Sequence, residues 1–185
     1  MRAAGHATRE RILAAAQAEF AEYGRAGARI NRIAAAARAS KDRLYAYFAS
    51  KEELYTAVTD HWMTRTTVET AMTADDLPAY VGRLFDHYLA HPDHARLQAW
   101  ADLEPAPDAA TQEVIRRVVA PKLAEIRRAQ ELGVVTGEFQ PATLLTMLTD
   151  LARTAATHAR HSPGRMAARR EATVQAARRL VTPAE

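Results

Sequence analysis

Seven cationic side chains fall within residues 25–51 (Arg25, Arg29, Arg32, Arg38, Lys41, Arg43 and Lys51), and a single carboxylate, Asp42, stands among them. A local excess of +6 is the chemistry of polyanion binding, because guanidinium and ammonium groups neutralise phosphates and displace their counterions. The chain as a whole reaches only +3, from 25 Lys and Arg against 22 Asp and Glu. Residues 1–60 hold ten basic and seven acidic groups and the remainder holds fifteen of each, so the excess is confined to the first third.

Other candidate chemistry is thinner. His87, His91 and His94 follow one another at spacings of four and three, which invites a metal, but Pro92 breaks any helix between the last two. They read as histidines at a helix end, so no metal is expected. No Gly-rich phosphate loop, H-E-x-x-H or serine elbow occurs, so neither catalysis nor a cofactor is expected. With no cysteine there is no disulfide framework, no thiolate zinc site and no thiol nucleophile, which suits a reducing compartment. Residues 1–8 lack the apolar core of a signal peptide, and no apolar run of about 18 residues occurs. A cytoplasmic location is expected.

The elements that must position the cations are helices. Forty-two residues are alanine, helical spacing of apolar residues recurs throughout, and alternating strand patterns are absent, so the chain is expected to be all-α with about nine helices. A first helix is expected over residues 8–23, stopped at Gly24, with short helices over 30–37 and 41–48. A fourth over 50–72 opens on the capping box of Ser50 and Glu53. Helices over 75–90, 92–103, 109–132 (kinked at Pro121), 141–160 and 165–181 complete the chain. Two domains follow, 1–50 carrying the cations other than Lys51 and 51–185 carrying the larger helical remainder.

The helices over 30–37 and 41–48 leave room only for a tight turn, the form of a helix-turn-helix. Ile33, Ala34, Ala37, Leu44 and Phe48 would pack with Phe20. Lys41, Asp42, Arg43, Tyr45, Ala46 and Tyr47 would then face outward, a mixture suited to a major groove. Tyr45 and Tyr47 could also be half-buried packing residues, and Lys51 could merely solvate a helix end.

The stretches TRERILAAAQAEFAEYG at 8–24 and INRIAAAARASKDRLYAYFASKEEL at 30–54, above all the S-K-x-x-L-Y-x-Y-F-x-S-K-E-x-L pattern from Ser40 to Leu54, resemble the TetR family of bacterial transcriptional repressors. The resemblance implies a dimeric repressor that loses its operator when a small molecule enters the larger domain. It places Ser40, Lys41, Tyr45, Tyr47 and Lys51 on DNA phosphates and positions 42, 43 and 46 against base edges. Arg43 is the candidate for bidentate recognition of guanine, and Ala46 could touch a thymine methyl. Four positions depart from the family pattern. Asp42 and Arg38 stand where glycine is usual, and Ala46 replaces a frequent histidine. Arg29 and Ile30 stand where a threonine cap is preferred, so Arg29 is expected to serve the phosphate by charge. The operator is therefore expected to differ from those of better-matching relatives.

In the larger domain Trp62, Phe85, Tyr88 and Trp100 are expected to line a pocket for a small apolar or aromatic ligand, with His87, Glu104, Thr154 and His158 as possible polar partners. The last two helices are the expected homodimer surface, through Leu144, Leu148 and Leu151, Ala152, Ala155, Ala156 and Ala159, and Val174, Ala177 and Leu180. Two rival readings are a helical small-molecule carrier that has lost specific DNA binding, favoured by Asp42 and the missing threonine, and a helical enzyme, for which no polar cluster is evident.

Overall fold

The structure, a computed structural model, describes residues 2–183. It is all-α. In chain order the helices are α1 (Arg2–Gly27), α2 (Ile30–Ala36), α3 (Lys41–Tyr45), α4 (Lys51–Glu69), α5 (Leu77–Ala90), α6 (Pro92–Leu103), α7 (Ala109–Glu131), α8 (Pro141–Arg160) and α9 (Met166–Val181), with one 3₁₀ turn at Pro163–Arg165. Among the described residues no helix is long and apolar enough to cross a membrane.

Two compact units emerge, and they do not follow a cut at residue 50. One takes in the chain up to Trp62 together with Asp93–Ile115; the other takes in Met63–Pro92 and everything from Arg116 on. The boundaries fall inside α4 and α7 and at the first residue of α6.

In the first unit Ile12, Ala16, Phe20, Ile33, Leu44 and Leu54 are fully buried, and the Phe20 ring meets Tyr55 edge-on at 5.1 Å. α1 does not stop at Gly24. It begins earlier than expected and continues to Gly27 around a single non-helical residue, Gly24 at φ 67° and ψ 177°. The interrupted ladder is repaired from α6 and the segment after it. Trp100 Nε1 donates to the Ala21 carbonyl at 3.2 Å, Glu104 Oε1 accepts from the Ala26 N–H at 3.1 Å, and Arg25 donates to the Pro105 carbonyl at 3.1 Å. A Cβ at position 24 would stand 2.6 Å from Glu104 Oε1 and 2.8 Å from the Trp100 ring, so glycine is required by space as well as by φ. Residues of α6 therefore belong to the same unit as α1.

α3 ends at Tyr45, short of the expected Phe48, because the Tyr47 and Phe48 amides both turn to the Leu44 carbonyl at 3.0 Å and tighten the last turn. α4 closes at Glu69 rather than near residue 72, and the Ala71 carbonyl accepts from Arg83 at 2.7 Å.

In the second unit α5, α8 and α9 pack against one another. The core of α5 is a stripe of apolar side chains: Leu77, Tyr80, Val81, Leu84, Phe85 and Tyr88 are all buried. Gly82 marks the close approach to α9, since a Cβ there would lie 3.0 Å from Arg170 and 3.1 Å from Val174. Beside it Arg170 grips both oxygens of Asp86, its Nε at 2.8 and 2.9 Å. The facing residues on α8 and α9 are Leu144, Leu148, Ala152, Ala156, Ala159 and Ala177, all fully buried. These six are spent on the chain's own core, which corrects their assignment to a dimer surface. Left at the surface are Met147, exposed, with Leu151 and Ala155 half-buried on α8, and Ala168, Ala172 and Ala176, exposed on α9.

The same unit holds a polar cluster. His87 Nδ1 lies 2.8 Å from Glu69 Oε2, His91 Nε2 lies 3.4 Å from that same oxygen, and Arg65 Nε donates to Glu69 Oε1 at 2.8 Å. The Arg65 hydrogen bond, helped by that from His87, holds the Glu69 carboxyl down to about 2. Burial pushes the His87 imidazole below its ordinary value. At neutral pH the carboxylate is ionised and His87 is neutral.

Candidate nucleic-acid interface

The site is built on two short helices that bury one face. Ile33, Ala34 and Ala37 from α2, Leu44 from α3 and Phe48 just beyond it are between 0% and 5% exposed, and Phe20 of α1 at 0% completes the seam. Locking that face leaves the other out. Ser40, Lys41, Asp42, Arg43, Tyr45 and Ala46 are exposed and Tyr47 is half-buried, the set that the sequence pattern singles out.

The turn between α2 and α3 depends on Arg38, the one non-glycine residue with positive φ among those described, at 52°. This is the left-handed geometry the family pattern reserves for glycine, and it costs roughly 1 kcal/mol in a residue with a Cβ. The Ala39 N–H donates to the Ala34 carbonyl at 3.0 Å and closes the turn. α3 then starts on Ser40, whose Oγ accepts from the Arg43 N–H at 3.1 Å. The capping bond uses a lone pair only, so the hydroxyl proton stays free to donate to a phosphate oxygen.

The start of α2 is held in a way the sequence reading missed. Arg29 is the N-cap and offers no side-chain cap. Instead Glu19 Oε1, reaching across from α1, accepts from the Arg29 backbone N–H at 2.9 Å and from Arg32 Nε at 2.7 Å. Arg32 also lies 4.2 Å over the Tyr23 ring and donates to the Gly27 carbonyl at 3.0 Å. One carboxylate with a side chain only 9% exposed thus takes the place of the threonine cap. The sequence signal for it is an acid seven residues after Ile12, on the face of the helix that carries its buried apolar residues.

The seven cations therefore divide. Arg32 is tied to Glu19, and Arg25 stands 3.9 Å from Glu104 and 5.6 Å over the Tyr55 ring, so both are structural. Among the described residues Arg29, Arg38, Lys41, Arg43 and Lys51 have no carboxylate within ion-pair distance. Lys41 and Arg43 lean instead on their own tyrosines, Lys41 5.8 Å over Tyr45, and Arg43 5.4 Å over Tyr47 with a 3.2 Å bond to the phenol oxygen. Asp42 and Arg43 form no ion pair, so α3 keeps a free carboxylate beside its cations. Lys51, half-buried in the first turn of α4, donates to the Ala26 carbonyl at 3.4 Å. The Ser50 capping bond to the Glu53 N–H is present at 3.0 Å, while the Glu53 carboxylate takes the Ala49 N–H at 2.7 Å.

The residues expected to line a ligand pocket are not gathered in one unit. Trp62 and Trp100 belong to the unit of the helix-turn-helix, where Trp100 repairs the α1 break. Phe85 and Tyr88 are buried in α5 of the other. Of the polar partners, Glu104 serves α1, His87 meets Glu69, and Thr154 and His158 are exposed on α8.

Comparison with known proteins agrees with the geometry. Residues 12–58 match the family described as bacterial regulatory proteins, tetR family, and residues 76–179 match the tetracyclin repressor-like C-terminal domain. The chain is 40% identical over 147 residues to the HTH-type transcriptional repressor SCO4008 of Streptomyces coelicolor, covering 79% of this chain and 77% of that protein. It is 27% identical over 146 residues to the repressor NicS of Pseudomonas putida, covering 75% of this chain and 69% of the other. Among solved structures, a Streptomyces coelicolor protein described as transcriptional regulator SCO4942 superposes with a TM-score of 0.76 at 41% identity, over 94% of this chain and 98% of that one. A TetR-family regulator from Marinobacter aquaeolei shares the fold at a TM-score of 0.81 and 19% identity, over 98% and 99% of the two chains. A helix-turn-helix whose exposed face carries unpaired cations, in a chain that matches both family domains, makes this protein a member of the TetR family of DNA-binding transcriptional regulators.

Proposed function

We propose that the protein is a homodimeric repressor that binds a near-palindromic operator through α3 and leaves it when a small apolar or aromatic ligand binds. The observation that carries the reading is the exposed face from Ser40 to Tyr47 with five unpaired cations on and around it. Repression is taken from the names of the two curated relatives. Lys41, Tyr45, Tyr47, Lys51 and Arg29, with the Ser40 hydroxyl, hold phosphates, while Asp42, Arg43 and Ala46 meet base edges. Asp42 accepts from a cytosine amine, the base-edge donor that a carboxylate typically pairs with in the major groove. A dimer is needed because one helix-turn-helix reads too few bases to be selective.

The ligand meets Phe85 and Tyr88 as the apolar lining within the second unit; Trp62 and Trp100 belong to the other unit, and the Trp100 indole N–H is committed to Ala21. α4 opens with Lys51 at the DNA and closes at Glu69 in the second unit, which makes it the helix along which occupancy reaches the DNA-binding face. The reading of α3 is tested by a mobility-shift titration of Arg43→Ala on sites selected by the parent protein. Loss of one bidentate contact is expected to weaken those sites by roughly tenfold or more, with affinity for random duplex falling much less. Equal affinity of both proteins for the selected sites would remove Arg43 from base reading.

A further inference from the structure

We infer that Glu69, His87 and His91 form a binding site for one divalent transition cation of the zinc type. Sequence spacing grouped His87 and His91 with His94, which lies beyond the break at Pro92. The fold instead brings the last residue of α4 to the last turn of α5. One ligand atom from each of the three lies within 4.8 Å of the others. Tetrahedral zinc with bonds of about 2.0–2.1 Å holds its ligand atoms roughly 3.3 Å apart; the separations of 2.8 and 3.4 Å from Glu69 Oε2 need adjustments of a few tenths of an ångström, and the two imidazole nitrogens, within 4.8 Å, close by side-chain rotation. Two imidazoles and a carboxylate are the donor set for zinc and its neighbours, not for magnesium or calcium.

Two further features fit. A histidine that ligates through one ring nitrogen gives the proton of the other to an oxygen, and His87 Nε2 stands 3.0 Å from the hydroxyl of Thr66, which is buried. A cation on Nδ1 would leave that proton on Nε2, donated to Thr66 Oγ1. Three protein ligands also leave a fourth position for water or an exogenous donor. A side-chain cation competes for the same ligands. Arg65 reaches Glu69 Oε1 at 2.8 Å and lies 3.4 Å from His91 Nε2, but its side chain is 47% exposed and can turn into solvent. Bound metal would then fasten the end of α4 to the end of α5.

The test uses the untagged full-length protein, stripped by dialysis against a chelator and titrated with zinc in competition with a chromophoric chelator, then with cobalt(II) to read its visible bands. One equivalent per chain is expected, with the intense visible absorption of tetrahedral cobalt. His91→Ala and Glu69→Gln, each checked for unchanged far-UV circular dichroism, are expected to weaken uptake tenfold or more, while His158→Ala on α8 leaves it unchanged. Arg65→Ala, which removes the competitor, is expected to tighten it. Absence of stoichiometric uptake, or uptake at the parent affinity in both His91→Ala and Glu69→Gln, overturns the site. DNA binding does not enter the measurement.

Discussion

Arg38 at φ 52° is the residue whose backbone and side chain serve different ends. Its conformation is one that glycine adopts without cost, yet its charge belongs to the unpaired cations beside α3. Arg38→Gly is therefore expected to raise thermal stability, by about half a kcal/mol once the extra freedom of glycine in the unfolded chain is subtracted, seen as a rise of up to about 2 °C in Tm. A fall in Tm would show that the long side chain stabilises the turn by more than its conformation costs. Position 24 reverses the logic. Gly24→Ala adds a Cβ at φ 67° that meets Glu104 and Trp100, and is expected to cost about 2 kcal/mol or more, measured by chemical denaturation. Much at this scale was legible beforehand. The outward set on α3 follows from which residues must bury, and the left-handed turn follows from the position of Arg38 in the family pattern. What was not legible is the division of the cations: nothing in the spacing of Arg29 and Arg32 says that Glu19 takes the backbone of one and the guanidinium of the other.

Element boundaries were readable wherever a local signal fixed them. α6 and α8 run over the expected residues because Pro92 and Pro141 start them and Leu103 and Arg160 precede breaks. α1 overran Gly24 because the carbonyls freed by the break are capped by Trp100 and Arg96, which lie more than seventy residues away in sequence. The same distance explains the Glu69 cluster, in which α4 supplies the partner that α5 lacks. The faces of α8 and α9 were misassigned for a related reason. A stripe of leucine and alanine reports close packing but not with what, and here α5 is the partner for Leu144, Leu148 and Ala152. The outward alanines on α9, Ala168, Ala172 and Ala176, recur every fourth residue and suit the close approach of a second helix. Ala172→Arg is expected to convert a dimer to a monomer in sedimentation velocity with circular dichroism unchanged. A dimer of parent stability would place the interface elsewhere.

At the scale of the whole molecule, a net charge of +3 resolves into an interface and a counterweight. Five cations without carboxylate partners are set around one small helix, and those proposed to hold phosphates are among them, while the second unit contributes an apolar interior and the faces proposed for ligand and partner. The central claim is that this face, doubled by a two-fold axis, selects a DNA sequence. Its most direct test is selection of bound duplexes from a random pool by the full-length protein, followed by affinity measurements against salt. The expected result is an enriched near-palindrome whose half-sites are about one helical turn apart, bound with a steep inverse dependence on salt concentration. Failure to enrich any motif, with random and selected duplexes bound alike, would contradict it and favour a ligand carrier that has kept the fold without the operator.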